Sequence, residues 1–161
     1  MRRTLSAVFP VVAWLGLIAF WSTDLGSQVS VAARVLDWLG TLFPGLSSDT
    51  ATCSALADAL HNLRKPAHIF EYAVLALLMH RACSALTGWS GPHRIVWTLA
   101  FCALVGGLDE WHQSYLPSRT GQPADALVDV LGAVLGLTLG AVLSRRRRTR
   151  KHHHAPSPPS S

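Results

Sequence analysis

Four long apolar stretches, each about as long as a bilayer is thick, dominate this chain and constrain it most. Residues 4–23 carry no charge and follow Arg2 and Arg3. At about 1.5 Å per residue, such a helix crosses a hydrocarbon core of about 30 Å. A second stretch, residues 64–82, opens at Lys65-Pro66, where a proline suits the first helical turn because its missing N–H is not needed there. A third, residues 94–113, is charged inside only at its far end, Asp109-Glu110. The fourth, residues 123–144, opens on Pro123. The expected fold is an all-α membrane protein: a bundle of about four transmembrane helices in one membrane domain, residues 1–144.

Composition agrees. Of 161 residues, 14% are charged, against roughly a quarter in soluble domains, and half are hydrophobic. A cleaved signal peptide is the alternative for the first stretch, with Ser30-Val31-Ala32 as a small-residue cleavage site. The apolar region is long for that role, which favours a retained helix.

The net charge of +5 is unevenly spread. Arg2, Arg3, Arg81, Arg94 and the basic run Arg145, Arg146, Arg147, Arg148, Arg150 and Lys151 fall on one side of the predicted spans. Asp24, Asp37, Asp49, Asp58, Asp109, Glu110 and Asp125 fall on the other, mixed with Arg34, Arg64, Lys65 and Arg119. The positive-inside rule then predicts a multi-pass protein with both termini in the cytoplasm. Beside a span, the basic run reads as an anchor facing anionic lipid. No recognition motif accompanies it, so no nucleic-acid partner is expected.

Between the first two spans, Val31, Val35, Leu36, Leu39 and Leu42 recur at helical spacing around Arg34 and Asp37. This predicts an amphipathic helix at the outer membrane surface, followed by a short helix over residues 51–63. Residues 145–161 read as a basic, disordered tail; its His152-His153-His154 is a weak metal binder at most. Cys53, Cys83 and Cys102 fall at different depths, so no disulfide is expected.

Ionisable residues inside membrane helices are expensive and are functional candidates by default. On the second span, Lys65, His68 and Tyr72 share a stripe, with Glu71 beside His68. The third span ends with Asp109 and Gln113 on one face and Glu110 flanking it; Arg119 follows in the loop. The fourth begins with Asp125 and Asp129, which continue through Gly132, Gly136 and Gly140 in steps of four, three, four and four. Such a glycine stripe permits close helix packing, and Gly106-Gly107 on the third span is a candidate facing surface. All these polar groups converge on the outer end of the bundle.

The pattern Lys65-x-x-His68-x-x-x-Tyr72, Asp109-Glu110-x-x-Gln113-x-Tyr115-x-Pro117-x-Arg119 and Asp125-x-x-x-Asp129-x-x-Gly132-x-x-x-Gly136 resembles the VanZ-like membrane proteins. In many relatives Asn stands where this chain has Asp129, and Pro-Gly-Arg stands where it has Pro117-Ser118-Arg119. The resemblance implies a protein of the bacterial cytoplasmic membrane with an envelope role. The family's name comes from a protein linked to low-level resistance to the glycopeptide teicoplanin, and most relatives have no assigned activity.

Three roles for the cluster follow. A structural one pairs Lys65 and Arg119 with carboxylates, but Glu71, Asp109, Glu110, Asp125 and Asp129 outnumber those two cations. A binding role takes a lipid-linked or phosphate-bearing headgroup from the outer leaflet. Arg119 would be its bidentate partner, Lys65 would add charge, and Tyr72 and Gln113 would orient the ligand. A catalytic role makes the protein an intramembrane acid–base or metal-assisted hydrolase of a lipid-linked substrate. There, His68 with Glu71 or Glu110 would be acid and base, or metal ligands with Asp109 and Asp125. No H-E-x-x-H motif or nucleophile elbow is present, so no cofactor and no resident metal are expected. Transport is disfavoured because the inner halves of the spans are nearly all aliphatic.

Overall fold

The structure, a computed structural model, describes residues 2–23, 28–43, 50–116 and 123–153. They form five helices: α1 (Arg2–Trp21), α2 (Gln28–Leu42), α3 (Thr50–Leu86), α4 (Gly91–Gln113) and α5 (Pro123–His153). No strand occurs among the described residues. Three segments are long and apolar enough to cross a membrane: Arg2–Trp21, Lys65–Leu86 and Asp125–Arg146. Helix α4 has the length, with 23 residues, but its polar ends keep it outside that set.

Helix α3 is the hub, packing against α1, α2, α4 and α5, while α4 also packs against α5. Helix α1 runs antiparallel to α3. Arg81 donates to the carbonyl of Ser6 at one end (3.3 Å), and the Trp14 indole N–H donates to the carbonyl of Glu71 nearer the middle (2.9 Å). Trp14 also meets Phe70 edge-on, with ring centroids 6.3 Å apart. The α1 residues Ala7, Val11 and Ile18 join Tyr72, Leu75, Ala76, Ala82, Cys102 and Ala133 in one core. Much of the remaining apolar surface faces outward, including Phe9, Val96, Leu104, Leu127 and Leu135. Outward Leu and Val suit lipid, whose tails are as apolar as the side chains themselves.

Three boundaries differ from the sequence expectation. First, α3 does not begin at Pro66. It runs unbroken from Thr50, with Pro66 inside it, and absorbs the separate short helix expected over residues 51–63. Proline removes one backbone donor from a helix, a loss that membrane helices absorb when neighbouring groups re-satisfy the freed carbonyl. At about 1.5 Å per residue its 37 residues reach about 55 Å, so the part before Lys65 extends past a bilayer core. Second, α5 continues through the basic run to His153, where a disordered tail is expected from residue 145. Arg and Lys are good helix formers and are favoured near the negative C-terminal end of the helix dipole. Residues 154–161 lie outside the described residues. Third, α4 begins three residues early at Gly91, with Pro92 in its first turn.

The segment before α3 does form a helix, α2, which leans on α3 and buries Leu36, while Arg34, Asp37, Trp38 and Leu42 are exposed. Cys83 and Cys102 are free and buried.

Candidate functional site

The α3–α5 contact positions the site. A Cβ on Gly132 would lie 2.5 Å from the Ile69 carbonyl oxygen, and one on Gly136 would collide with the Ala73 carbonyl. One turn further, a Cβ on Gly140 would lie 2.7 Å from Leu77 Cδ2. The glycines therefore seat α5 directly on the α3 backbone in matched steps of four residues. This corrects the expected partner of the stripe, which is α3 and not Gly106-Gly107 of α4. Gly107 faces open space, whereas Gly106 faces Asp129: an added Cβ would lie 2.8 Å from its Oδ2.

That close seating brings His68, one residue before Ile69, against Asp129, three before Gly132. His68 Nδ1 and Asp129 Oδ1 are 2.9 Å apart, with His68 buried and Asp129 wholly so. An ionised Asp129 only accepts; it then fixes the proton on Nδ1 and makes Nε2 the basic ring nitrogen. Tyr72 stacks one turn along α3, nearly parallel to the His68 ring (7°) with centroids 6.5 Å apart.

Helix α4 supplies the third wall. Thr98, Cys102, Gly106, Asp109, Glu110 and Gln113 are all buried on one side of it. Gln113 Nε2 donates to Asp109 Oδ2 at 2.7 Å, which holds that carboxylate one turn below it. His68, Asp109 and Glu110 each offer one donor atom, all within 4.8 Å of one another. Three fully buried groups have polar atoms with no hydrogen-bond partner among the described residues: the Tyr72 hydroxyl, Thr98 Oγ1 and Asp129 Oδ2. Asp129 and Asp109 are charged neighbours of the Tyr72 hydroxyl.

The structure thus gathers His68, Tyr72, Asp109, Glu110, Gln113 and Asp129. It does not gather every candidate. Lys65 is exposed, Glu71 and Asp125 are half-buried, and Arg119 lies outside the described residues. His112 points outward, as its offset from the Asp109–Gln113 face predicts. Sequence reasoning did not assign Thr98, Cys102 or a site-shaping role for Gly106. Their signal was present: 98, 102, 106, 109 or 110, and 113 are spaced at helical steps, a stripe of small and polar residues along an otherwise aliphatic helix.

In chemical terms the described site joins one imidazole, three carboxylates, an amide and a phenol, walled off on the α3–α5 side by glycine-mediated contact. Such a set accepts hydrogen bonds, exchanges protons and coordinates cations. No curated protein and no solved structure matches the chain. The VanZ/LLP1 family does match, over residues 7–144, a range that holds every residue of the site and most of each span. The chain belongs to the VanZ/LLP1 family.

Proposed function

We propose that this protein is a multi-pass protein of the bacterial cytoplasmic membrane that binds the phosphate-bearing headgroup of a cell-envelope lipid. The single observation that carries this reading is the burial, at one end of α4, of α5 and of the membrane-crossing part of α3, of polar side chains from three helices distant in sequence, tied by the 2.9 Å His68–Asp129 contact. Membrane helices bury such groups at high cost, and those that do so in a cluster mark ligand or ion sites. In this reading α4 is the fourth span and both termini are cytoplasmic. The Arg81–Ser6 contact supports that topology, because it puts the start of α1 and the end of α3 at one basic end, opposite the polar site. The site then faces the outer leaflet, with Lys65 and the loop residue Arg119 as the phosphate partners this reading calls for.

The direct test uses full-length protein in nanodiscs, with a polyprenyl phosphate and the matching polyprenol as probes in native mass spectrometry. Preference for the phosphate is expected, weakened by Arg119→Lys because a point charge replaces a planar fork. Equal retention of both probes sinks the reading. In cells, deletion should alter envelope-lipid profiles together with susceptibility to glycopeptides such as teicoplanin. Glu110→Gln and Arg119→Ala should fail to restore either.

The His68–Asp129 dyad supports a second reading, acid–base hydrolysis of a lipid diphosphate. Asp129 would orient His68 to take a proton from the water attacking the terminal phosphorus; the P–O–P bridge breaks, the lipid monophosphate leaves and inorganic phosphate is released. Phosphate release from a polyprenyl diphosphate, abolished in His68→Gln, is the expected result; no release by the wild type removes this reading.

A further inference from the structure

We propose that His68, Asp109 and Glu110 coordinate one ion of the zinc or manganese class, and that its open positions take a phosphate oxygen of the headgroup. This rests on the phosphate-headgroup reading above and revises the sequence expectation of no metal.

Four observations lead to it. The three donor atoms already lie within 4.8 Å of one another, so modest side-chain rotations bring them to the 2.0–2.2 Å typical of zinc. Asp129 holds His68 by Nδ1 at 2.9 Å, which presents Nε2 as the ligand atom in a carboxylate–histidine–metal arrangement. Gln113 holds the outer oxygen of Asp109 at 2.7 Å in the same manner, leaving Oδ1 as the other oxygen of that carboxylate. The fourth observation is independent of these. The wholly buried Tyr72 hydroxyl and Asp129 Oδ2 have no partner among the described residues, which is costly in hydrocarbon and is relieved by ion-bound water or a ligand oxygen.

Ligand chemistry selects the ion class. Imidazole with two carboxylates suits zinc or manganese, whereas magnesium and calcium prefer oxygen alone. Three protein ligands leave at least one coordination position open. The electrostatics also require it of a phosphate site. Asp109, Glu110 and Asp129 repel a phosphate brought between them, and a doubly charged ion reverses the local sign.

The test uses the full-length protein with His152, His153 and His154 replaced by alanine, so that the tail contributes no metal affinity. The protein is purified in detergent, stripped with chelator and titrated separately with zinc and with manganese. Calorimetry and elemental analysis should find one equivalent of one of the two ions. Asp109→Asn and Glu110→Gln should each weaken binding at least 10-fold. Asp129→Asn, which touches no metal, should weaken it 10- to 100-fold, as outer-sphere partners of metal-bound histidine do. Circular dichroism and thermal melting confirm that each variant folds; if Asp129→Asn does not, His68→Gln takes its place. Failure of both ions to bind the wild type, or unchanged affinity in the Asp109 and Glu110 variants, overturns the proposal. Polyprenyl phosphate is then added with and without the bound ion. Phosphate preference only with metal supports the whole proposal, and preference without metal overturns the metal's role while keeping the headgroup reading. Metal binding without phosphate preference removes the headgroup reading and with it the ion's assigned ligand.

Discussion

Asp129, nearly two turns into α5, meets His68 of α3 across 61 residues of chain, Oδ1 to Nδ1 at 2.9 Å, with no part of the aspartate exposed. A buried ionic contact adds little net stability against a well-packed apolar pair, yet breaking one side of it is expensive. The contact is therefore a device of specificity: it decides which faces of α3 and α5 meet.

Asp129→Leu should cost about 3–5 kcal/mol, since it leaves the imidazole buried without its acceptor. Asp129→Asn, which keeps shape and a carbonyl acceptor, should cost clearly less. In a double-mutant cycle, His68→Leu with Asp129→Leu should show a coupling of about 1–3 kcal/mol, with the double variant more stable than the sum of the singles predicts. Unfolding in a mixed micelle titrated with denaturing detergent measures all three.

Gly132→Ala and Gly136→Ala should each destabilise by about 1–3 kcal/mol or prevent assembly, because the new methyl meets α3 backbone, which cannot rotate aside. Gly16→Ala and Gly107→Ala meet nothing within 4 Å and should be close to neutral. Thermal stability of the four variants side by side gives the comparison; equal losses at all four positions would remove the close-packing account.

Gly106→Ala is expected to behave differently from either set. Its methyl would press on Asp129 Oδ2, the end of a side chain, at 2.8 Å. The carboxylate can give way, so the stability cost should stay below about 1.5 kcal/mol. Displacement of Oδ2 should instead appear in the site, as a loss of ligand or metal affinity larger than the loss of stability.

Reporter fusions after residues 88 and 146 should both report the cytoplasm, and one after residue 43 the opposite side. Replacing Arg81 and Arg94 together by Glu should weaken that orientation, because the bias comes from Lys and Arg in short loops. Protease protection in oriented vesicles checks both.

Much of the site was legible because membrane burial makes a charged side chain conspicuous. His68, Asp109, Glu110 and Asp129 stand out in apolar runs, and helical spacing places Asp109 with Gln113. Partner choice was not legible. A glycine stripe names a face of α5 but not the helix opposite it, and Gly106 proved to face Asp129, the stripe's polar end, while Gly132 and Gly136 meet α3. Lys65 shares its stripe with His68 by spacing, yet at the edge of the span its long side chain reaches outward, and periodicity alone cannot distinguish these depths. Pro66 misled for a local reason. The rule that places proline at a helix start describes water, where a freed carbonyl finds solvent; here the helix continues through it.

The matched spacing of Gly132, Gly136 and Gly140 against Ile69, Ala73 and Leu77 makes the α3–α5 seam a notched rail. Sliding α5 by four residues, about 6 Å, would lay Gly132 on Ala73 and Gly136 on Leu77, with contacts of nearly the same kind. Helix packing by itself thus leaves neighbouring notches close in energy. The His68–Asp129 contact exists in one notch alone, so the pair acts as the pin that selects the register.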